Sequence, residues 1–404
     1  MSSVLRDGWE INSLGDIADV QYGFTDKATE EGDYRYVRIT DIDNNGELIS
    51  TGKKYLKHST EAEGFLILDN DLLMARTGAT FAKVLLYQDF EPSVFASYLI
   101  RIKFKEKVEN KLYWYFTKTK SYWKQANSLA SGAAQPHFNG AAVKQVIFSY
   151  PKSLLEQQRI VSILDEAFSA IEKAKANAEL NLQNSKELFE SYLQGIFNAD
   201  DSSKNCWQEN SLDELGVITS SKRIYKSEYV KDGVPFYRTK EIKELSNGKD
   251  ISLELFISRA RYEEIKKSFG VPLIGDLLMS AVGTIGEIMV IENEDEFYFK
   301  DGNIVWFKGF ESLDINYLKY ALTAFVEKLK SLAIGAAYSA LTIEKLNKYK
   351  IAFPKSKIEQ QIIVQKLNAL NAETKKLETN YKQKIQDLDE LKKSILQKAF
   401  NGEL

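Results

Sequence analysis

At 404 residues, 44% hydrophobic and 27% charged, the chain is long enough for two or three domains and has the composition of an ordinary soluble globular protein. Its formal net charge of −3 argues against a protein that grips nucleic acid unaided, because neutralising phosphates takes an excess of Lys and Arg. A single cysteine, Cys206, and only two histidines, His58 and His137, exclude an internal disulfide, a cysteine zinc site and a histidine-based metal site.

Residues 1–7 lack the apolar stretch of a signal peptide, and no run of the chain approaches a membrane span of about 18 apolar residues, so a cytoplasmic location is expected. Residues 1–150 read as a mixed α/β part. Tyr34 to Ile39 alternates and carries strand formers. Leu66 to Met74 reads as a strand pair around Asp69-Asn70-Asp71, and Val84 to Tyr87 and Tyr98 to Phe104 are further strands. The turn Arg76-Thr77-Gly78-Ala79-Thr80 uses glycine to bend tightly. Asn110 to Asn127 reads as helical. From Arg101 to Lys124 there are eight basic residues against Glu106 and Glu109, interleaved with Tyr113, Trp114, Tyr115, Phe116, Tyr122 and Trp123. Such a face suits nucleic acid; the alternative is an amphipathic helix with its aromatics in a core.

Residues 151–200 read as one long helix. Pro151 ends the extended piece before it, Ser153 and Glu156 form a capping box, and no proline interrupts it. Ile160, Leu164, Ala167, Ile171, Ala174, Ala178, Asn181, Ser185, Leu188 and Tyr192 follow the 4-3 spacing of a coiled-coil seam. Residues 201–354 form a second mixed part, with strands at Leu277 to Met279, Glu287 to Glu292 and Ile304 to Phe307. It also has a glycine turn at Val282-Gly283-Thr284-Ile285-Gly286 and a helix from Asn316 to Ile334. Residues 355–404 form a second long helix, capped by Ser356 and Glu359 after Pro354. Its seam reads Ile363, Leu367, Leu370, Thr374, Leu377, Tyr381, Lys384, Leu388, Leu391 and Ile395.

The two halves repeat one another. Leu155 to Asn198 aligns without a gap to Ile358 to Asn401, with 16 of 44 positions identical. The repeat continues upstream more faintly: Trp9 with Trp207, Arg38 with Arg238, Asp71-Leu72-Leu73-Met74 with Asp276-Leu277-Leu278-Met279, and Pro151 with Pro354. A helix of about 43 residues is roughly 65 Å long and needs a partner of similar length. The other copy is the obvious one, and a pseudo-two-fold makes the pair antiparallel. The seam is polar in its middle, at Asn181, Ser185, Thr374 and Lys384. Ile163, Phe168, Phe189 and Phe197 lie off the seam and suggest that a further protein docks on the helices.

Enzyme signatures are missing. The chain has no G-x-x-x-x-G-K-[ST] loop, no G-x-G-x-x-G after a strand, and no Asn/Asp-Pro-Pro-aromatic motif. A binding protein is favoured.

Gly15-Asp16-Ile17, the turn after Asp71-Leu72-Leu73-Met74-Ala75-Arg76, Ser131-Gly132 with Gln135-Pro136, Pro151 followed by Glu156-Gln157-Gln158, and the ending Ala399-Phe400-Asn401-Gly402-Glu403-Leu404 recur in one family. In these features, and across essentially its whole length, the chain resembles the specificity (S) subunit of type I restriction–modification systems. The second copy, Glu359-Gln360-Gln361, makes the resemblance specific. It implies an α+β fold: two mixed α/β target recognition domains joined by two long antiparallel coiled-coil helices, with an internal pseudo-two-fold repeat. Each domain then reads half of a split site in double-stranded DNA. The helices set the spacing and dock two modification (methyltransferase) subunits. Those partners bind S-adenosylmethionine and methylate adenine, and restriction (motor/nuclease) subunits, where present, use ATP and Mg. The chain itself is implied to have no catalytic activity and no cofactor, and its partners' charge accounts for its own modest balance. One departure is Ala337-Tyr338-Ser339-Ala340 where the first half has Ala134-Gln135-Pro136-His137, so the two loops need not match. The competing classes are a stand-alone DNA-binding regulator and a coiled-coil protein adaptor.

Reading DNA takes donors and acceptors on loops for base edges and cations for phosphates. The candidates are Arg38, Arg76, Thr77, Lys83, Gln135 and His137 in the first domain, and Arg238, Lys240, Arg259, Arg261, Thr284 and Tyr338 in the second. Arg38 and Arg238 occupy matched positions, which leans toward framework duty. Helix pairing is assigned to Ile160, Leu164, Ile171, Leu188, Tyr192, Ile363, Leu367, Leu370, Leu377, Leu388, Leu391 and Ile395.

Overall fold

Strand Trp9–Ser13 runs antiparallel to Ile147–Pro151, with Trp9 opposite Pro151, so the two ends of the first globular part are tied together just before the central helix starts. Trp207–Ser211 and Lys350–Pro354 repeat the arrangement, with Trp207 opposite Pro354. The structure is a computed structural model and describes residues 7–43, 45–132, 136–197, 207–332 and 341–404. Among these, no helix is long and apolar enough to cross a membrane.

Both globular parts use the same four-stranded antiparallel sheet. In the first the order is Ala18–Tyr22, Leu99–Phe104, Leu72–Ala75, Val84–Leu86; in the second it is Val217–Thr219, Ile304–Lys308, Leu277–Ser280, Ile288–Val290. A smaller sheet accompanies each, containing one parallel pair: Tyr34–Val37 with Ser93–Phe95, and Val234–Tyr237 with Tyr298–Phe299. The inserts differ. A 3-10 turn, Ile39–Asp41, in the first part becomes the helix Thr239–Ser246 in the second, and the one-turn helix Thr60–Glu63 becomes the longer Arg259–Ser268.

Two sequence expectations for the first part need correction. Leu66 to Met74 is not a strand pair: only Leu72–Ala75 is a strand, because Asn70 turns the chain with a φ of +64°. Asn110 to Asn127 is not one helix. Asn110–Phe116 ends, and Lys120–Leu129 restarts at Thr119, whose side chain accepts the Tyr122 N–H. A threonine that caps a new helix offers the backbone a better partner than a continuing turn does. The basic, aromatic stretch is therefore mostly interior. Tyr113, Tyr115, Phe116 and Tyr122 are buried, and Trp114 and Trp123 pack against the same core.

The central helix spans Leu154–Phe197 and the C-terminal helix Lys357–Asn401. The chain divides into two compact units, Met1–Ala178 with Gln383–Leu404 and Glu179–Lys382. Each unit thus owns one globular part and a share of both helices. In the first unit the helices run antiparallel: Lys392 pairs with Glu172 at 2.6 Å and Lys175 with Asp389 at 2.7 Å. Ile160, Leu164 and Ile171 share that unit's core with Leu396 and Ala399. In the second unit Leu193 shares a core with Val364 and Leu367, and Phe189 and Ile363 pack against it.

Burial does not hold to the 4-3 template. Ile160, Leu164, Ile171 and Leu367 are buried, and Ile363, Leu370, Leu388 and Ile395 half-buried, but Leu188, Tyr192, Leu377 and Leu391 are exposed. Burial passes to Phe189 and Leu193 in one helix and to Glu378 and Lys392 in the other. A straight helix turns every 3.6 residues, so a strict seven-residue template drifts by about 20° per heptad and approaches a one-position miss over four or five heptads. In the polar middle, Ser185 and Thr374 are buried. Their hydroxyls donate to carbonyls of their own helices, Asn181 at 2.7 Å and Leu370 at 3.0 Å, which leaves no donor stranded. Phe168, Phe189 and Phe197 are not a free docking stripe: they meet Tyr115, Tyr320 and Tyr317 edge-on.

A buried glutamine fixes each helix to its globular part. Gln157 Nε2 donates to the carbonyls of Pro151 (2.8 Å) and Lys107 (3.3 Å), and its Oε1 accepts the Glu109 N–H at 2.7 Å. Gln360 repeats all three, to Pro354 (2.9 Å), Ser312 (3.2 Å) and the Asp314 N–H (2.7 Å). Neither side chain has solvent contact. Replacing Gln157 or Gln360 by Leu strands a backbone N–H and carbonyls and is expected to cost about 2–4 kcal/mol. Denaturant unfolding of the full chain measures this; a loss within about 0.5 kcal/mol would remove the glutamine from this role.

Candidate nucleic-acid interface

Most of the candidate cations are committed inside the protein. Arg38 meets the buried Asp41 (Nη2–Oδ1 2.7 Å, Nε–Oδ2 3.1 Å), whose carboxylate also accepts the Arg38 backbone N–H at 2.8 Å. Arg238 repeats this with the buried Glu241 (Nη2–Oε1 2.6 Å, Nε–Oε2 3.2 Å) and adds Glu254 at 2.7 Å. Hydrogen bonding to these carboxylates raises both guanidinium pKa values above their ordinary range. These matched arginines are caps for the elements that follow them, Ile39–Asp41 and Thr239–Ser246. Lys240 shares Glu254 at 2.6 Å. Arg261 is bracketed by Glu228 and Glu264, each at 2.8 Å, and Arg259 pairs with Glu296. The structure gives all five an internal partner.

Three members of the basic run from Arg101 to Lys124 behave the same way, while Lys103, Lys107, Lys120 and Lys124 are exposed. Arg101 lies over the Phe95 ring and beside Asp71, with Nε–Oδ2 at 3.2 Å. Lys111 and Tyr115 both reach Asp165 on the central helix, at 2.8 and 2.5 Å. Lys118 sits 3.6 Å above the Trp114 ring, and burial pushes its ammonium down to about 8.

Arg76 differs. Among the described residues no carboxylate pairs with it. Its guanidinium lies over two tyrosine rings, 5.3 Å from the centroid of Tyr22 and 5.7 Å from that of Tyr98. The next residue, Thr77, is buried in a backbone bridge to the exposed His137. Lys83 is half-buried nearby in sequence, and Ala75 N–H donates to its carbonyl at 2.9 Å. So Arg76, Thr77 and His137 do come together at one end of the first four-stranded sheet. Gln135 and Tyr338 lie outside the described residues. Thr284 is exposed on the matched turn of the second sheet, and its carbonyl accepts the Ser280 hydroxyl. Both turns need glycine: Gly78 has a φ of +77° and Gly283 one of +78°. Tyr22 and Tyr98 escaped the sequence reading. The available signal was an exposed tyrosine closing the alternating run Asp19-Val20-Gln21-Tyr22, three residues into no obvious motif.

Two related sheets, each with its own inserts and bound to a shared pair of long helices, define a two-copy recognition scaffold. The family model described as the type I restriction modification DNA specificity domain matches residues 6–182 and again 204–387. The chain belongs to that family. It is similar to a putative type I restriction enzyme specificity subunit of Haemophilus influenzae, 29% identical over 265 residues, which is 64% of this chain and 64% of the relative. The chain thus spans about two thirds of that relative's length. It is also similar to the EcoBI specificity subunit of Escherichia coli, 22% identical over 99% of this chain and 87% of the other. A chain solved in a study of type I R-M complex assembly shares the fold with a TM-score of 0.78 at 19% identity, covering 99% of this chain and 100% of that one. The HsdS subunit of Thermoanaerobacter tengcongensis does so with a TM-score of 0.64 at 19% identity, covering 100% and 99%.

The Glu254 carboxylate is held down at about 2 by Lys240 and Arg238. A carboxylate depressed in the folded state stabilises above its unfolded range of about 4.3 and loses that contribution as the pH falls toward 2. Wild-type chain is therefore expected to lose stability between about pH 4.5 and 2 more steeply than Glu254→Gln. Urea midpoints at pH 5 and pH 3 measure the difference; equal slopes would mean the pair contributes nothing.

Proposed function

We propose that this chain is the DNA sequence-recognition subunit of a type I restriction–modification complex. Each globular domain reads one half of a bipartite site, and the paired helices set the spacing and dock two modification subunits. The chain is non-catalytic: S-adenosylmethionine binds the modification subunits, and ATP with Mg the restriction subunits where these join. The complex works in the cytoplasm.

The observation that carries this reading is the division between kept and changed parts. The frame is duplicated down to single side chains, Gln157 with Gln360 and Arg38 with Arg238, while the inserts on it differ. A duplicated frame with unlike loops suits two related readings of unlike targets. A second observation supports a pair of identical partners. Leu155 is 80% exposed and its counterpart Ile358 70%; Leu188 is 51% exposed and its counterpart Leu391 47%. A large aliphatic group left in water at the same place in both copies suits one partner surface used twice.

A modified-base map tests the function. Cells without native methylation carry the full chain with a modification subunit, and the control lacks the chain. Methyladenine in one split motif, present only with the chain, is the expected result; methylation indifferent to the chain rejects the reading.

Docking and spacing have their own tests. Leu155→Asp with Ile358→Asp is expected to abolish co-purification of the modification subunit while the chain's unfolding midpoint stays unchanged. Removing one heptad from both helices shortens them by about 10 Å, or about three base pairs of DNA. The tolerated spacer should shorten or assembly fail; an unchanged spacer sinks the ruler.

A further inference from the structure

The two sheets place the same backbone positions at the edge that carries Arg76. Arg76 N–H donates to the Tyr98 carbonyl at 3.0 Å, and Ala281 N–H to the Asn303 carbonyl at 2.8 Å. Phe138 N–H reaches the Arg76 carbonyl at 2.8 Å, and Leu341 N–H the Ala281 carbonyl at 3.0 Å. Tyr22 pairs with Ile100 on the neighbouring strand, and continuing the register from Thr219 opposite Trp306 puts Ser220 at the matching place. So the frame positions held by Tyr22, Arg76 and Tyr98 in the first domain are held by Ser220, Ala281 and Asn303 in the second.

The first-domain group is built to hold its guanidinium still. The Tyr22 hydroxyl accepts the Gly140 N–H at 2.8 Å, which fixes that ring. Gly23 lies so close to the Ala96 carbonyl that a Cβ would sit 2.2 Å from it, which presses the strand of Tyr22 against the loop leading to Tyr98. Arg76 Nη1 reaches the Ser97 carbonyl at 3.5 Å. Both tyrosines are exposed at the surface. A guanidinium lying over two aromatic rings, with no carboxylate partner among the described residues, keeps donors for an outside acceptor at little rotamer cost.

The asymmetry selects the acceptor. A phosphate contact positions a domain on DNA irrespective of sequence, and a duplicated frame would keep such a cation in both halves. This cation is present in one half only. The fork of an arginine guanidinium matches the O6 and N7 acceptors of guanine, the commonest specific major-groove contact. We infer that Arg76, held between Tyr22 and Tyr98, reads a guanine in the half-site of the first domain, and that the second domain reads its half-site with no counterpart. This rests on the DNA-recognition reading above.

The test compares modified-base maps from the full chain, Arg76→Lys, Arg76→Ala and Tyr98→Ala, each with the modification subunit. Wild type without a split motif rejects the parent reading, whatever the variants do. Given a wild-type motif, Arg76→Ala and Arg76→Lys are expected to lose about 10- to 100-fold discrimination at one guanine position in one half, leaving the other half intact. Lys keeps the charge but not the fork, so a Lys variant that retains the full motif marks a phosphate contact and overturns the inference. An unchanged motif with Ala, or a uniform loss of methylation by a chain that still folds and assembles, overturns it too. Tyr98→Ala guards against a misfolded Arg76 variant: it removes only an exposed ring and should blur the same single position, and a sharp position there also counts against the inference.

Discussion

The rest of the molecule depends on where the long helices leave the globular parts, and a fully buried glutamine decides that. A helix has four unpaired N–H groups at its start, and a preceding strand ending in proline has carbonyls without a ladder partner. Gln157 bridges the end of one such strand, at Pro151, to the loop Lys107–Glu109 that opens the next helix. A shorter amide would not span the gap, and a carboxylate at that position has no donor for the two carbonyls. The same three bonds at Gln360 mean that the exit geometry is set twice by one device. A second latch follows two turns on: Tyr115 donates to Asp165 in one copy and Tyr320 to Asn368 in the other, at 2.5 and 2.6 Å. Asp and Asn are interchangeable there because a phenol needs only an acceptor.

With the exits fixed, the inserts are free to diverge. Their charges mostly serve themselves. Exposed ion pairs such as Lys240 with Glu254 contribute little stability. They do hold long side chains in one place and keep neighbouring loops in register. Several Lys and Arg residues of the second domain thus meet carboxylates of the same domain. This also fits the chain's formal net charge of −3.

What was legible in the sequence follows from what leaves a local trace. The repeat, both long helices and three of the four strands in each core sheet are written in contiguous residues, and the structure places them within a few positions of the expectation; the edge strands Ala18–Tyr22 and Val217–Thr219 went unread. The helix break at Thr119 was hidden because a threonine cap looks like any other threonine inside a helical pattern. The seam slipped because the drift between period 3.5 and period 3.6 accumulates along the helix, so Ile160 and Leu164 were placed well and Leu188 and Tyr192, about four heptads on, were not. The fate of each arginine could not be read at all. Arg101 finds Asp71 from 30 positions upstream, and a carboxylate that distant leaves no mark beside the arginine. Arg38 was the exception, because its cap partner Asp41 is three residues away and recurs as Arg238 with Glu241.

Duplication itself can be used as a filter on function. In a two-copy protein a residue kept in both halves is answering a demand that both halves share: a fold, a joint with the helices, or a partner that comes in pairs. A residue found in one half only is released from those demands. The buried glutamines, the capping arginines and the exposed aliphatics at Leu155 and Ile358 fall in the first group. The tyrosine-bracketed Arg76 falls in the second, because the same frame in the other half stands without it: Ala281 makes the same backbone bonds with no side chain beyond Cβ. That the second domain holds the same backbone bonds with Ala281 in this place is what supports the inference that Arg76 serves something outside the chain.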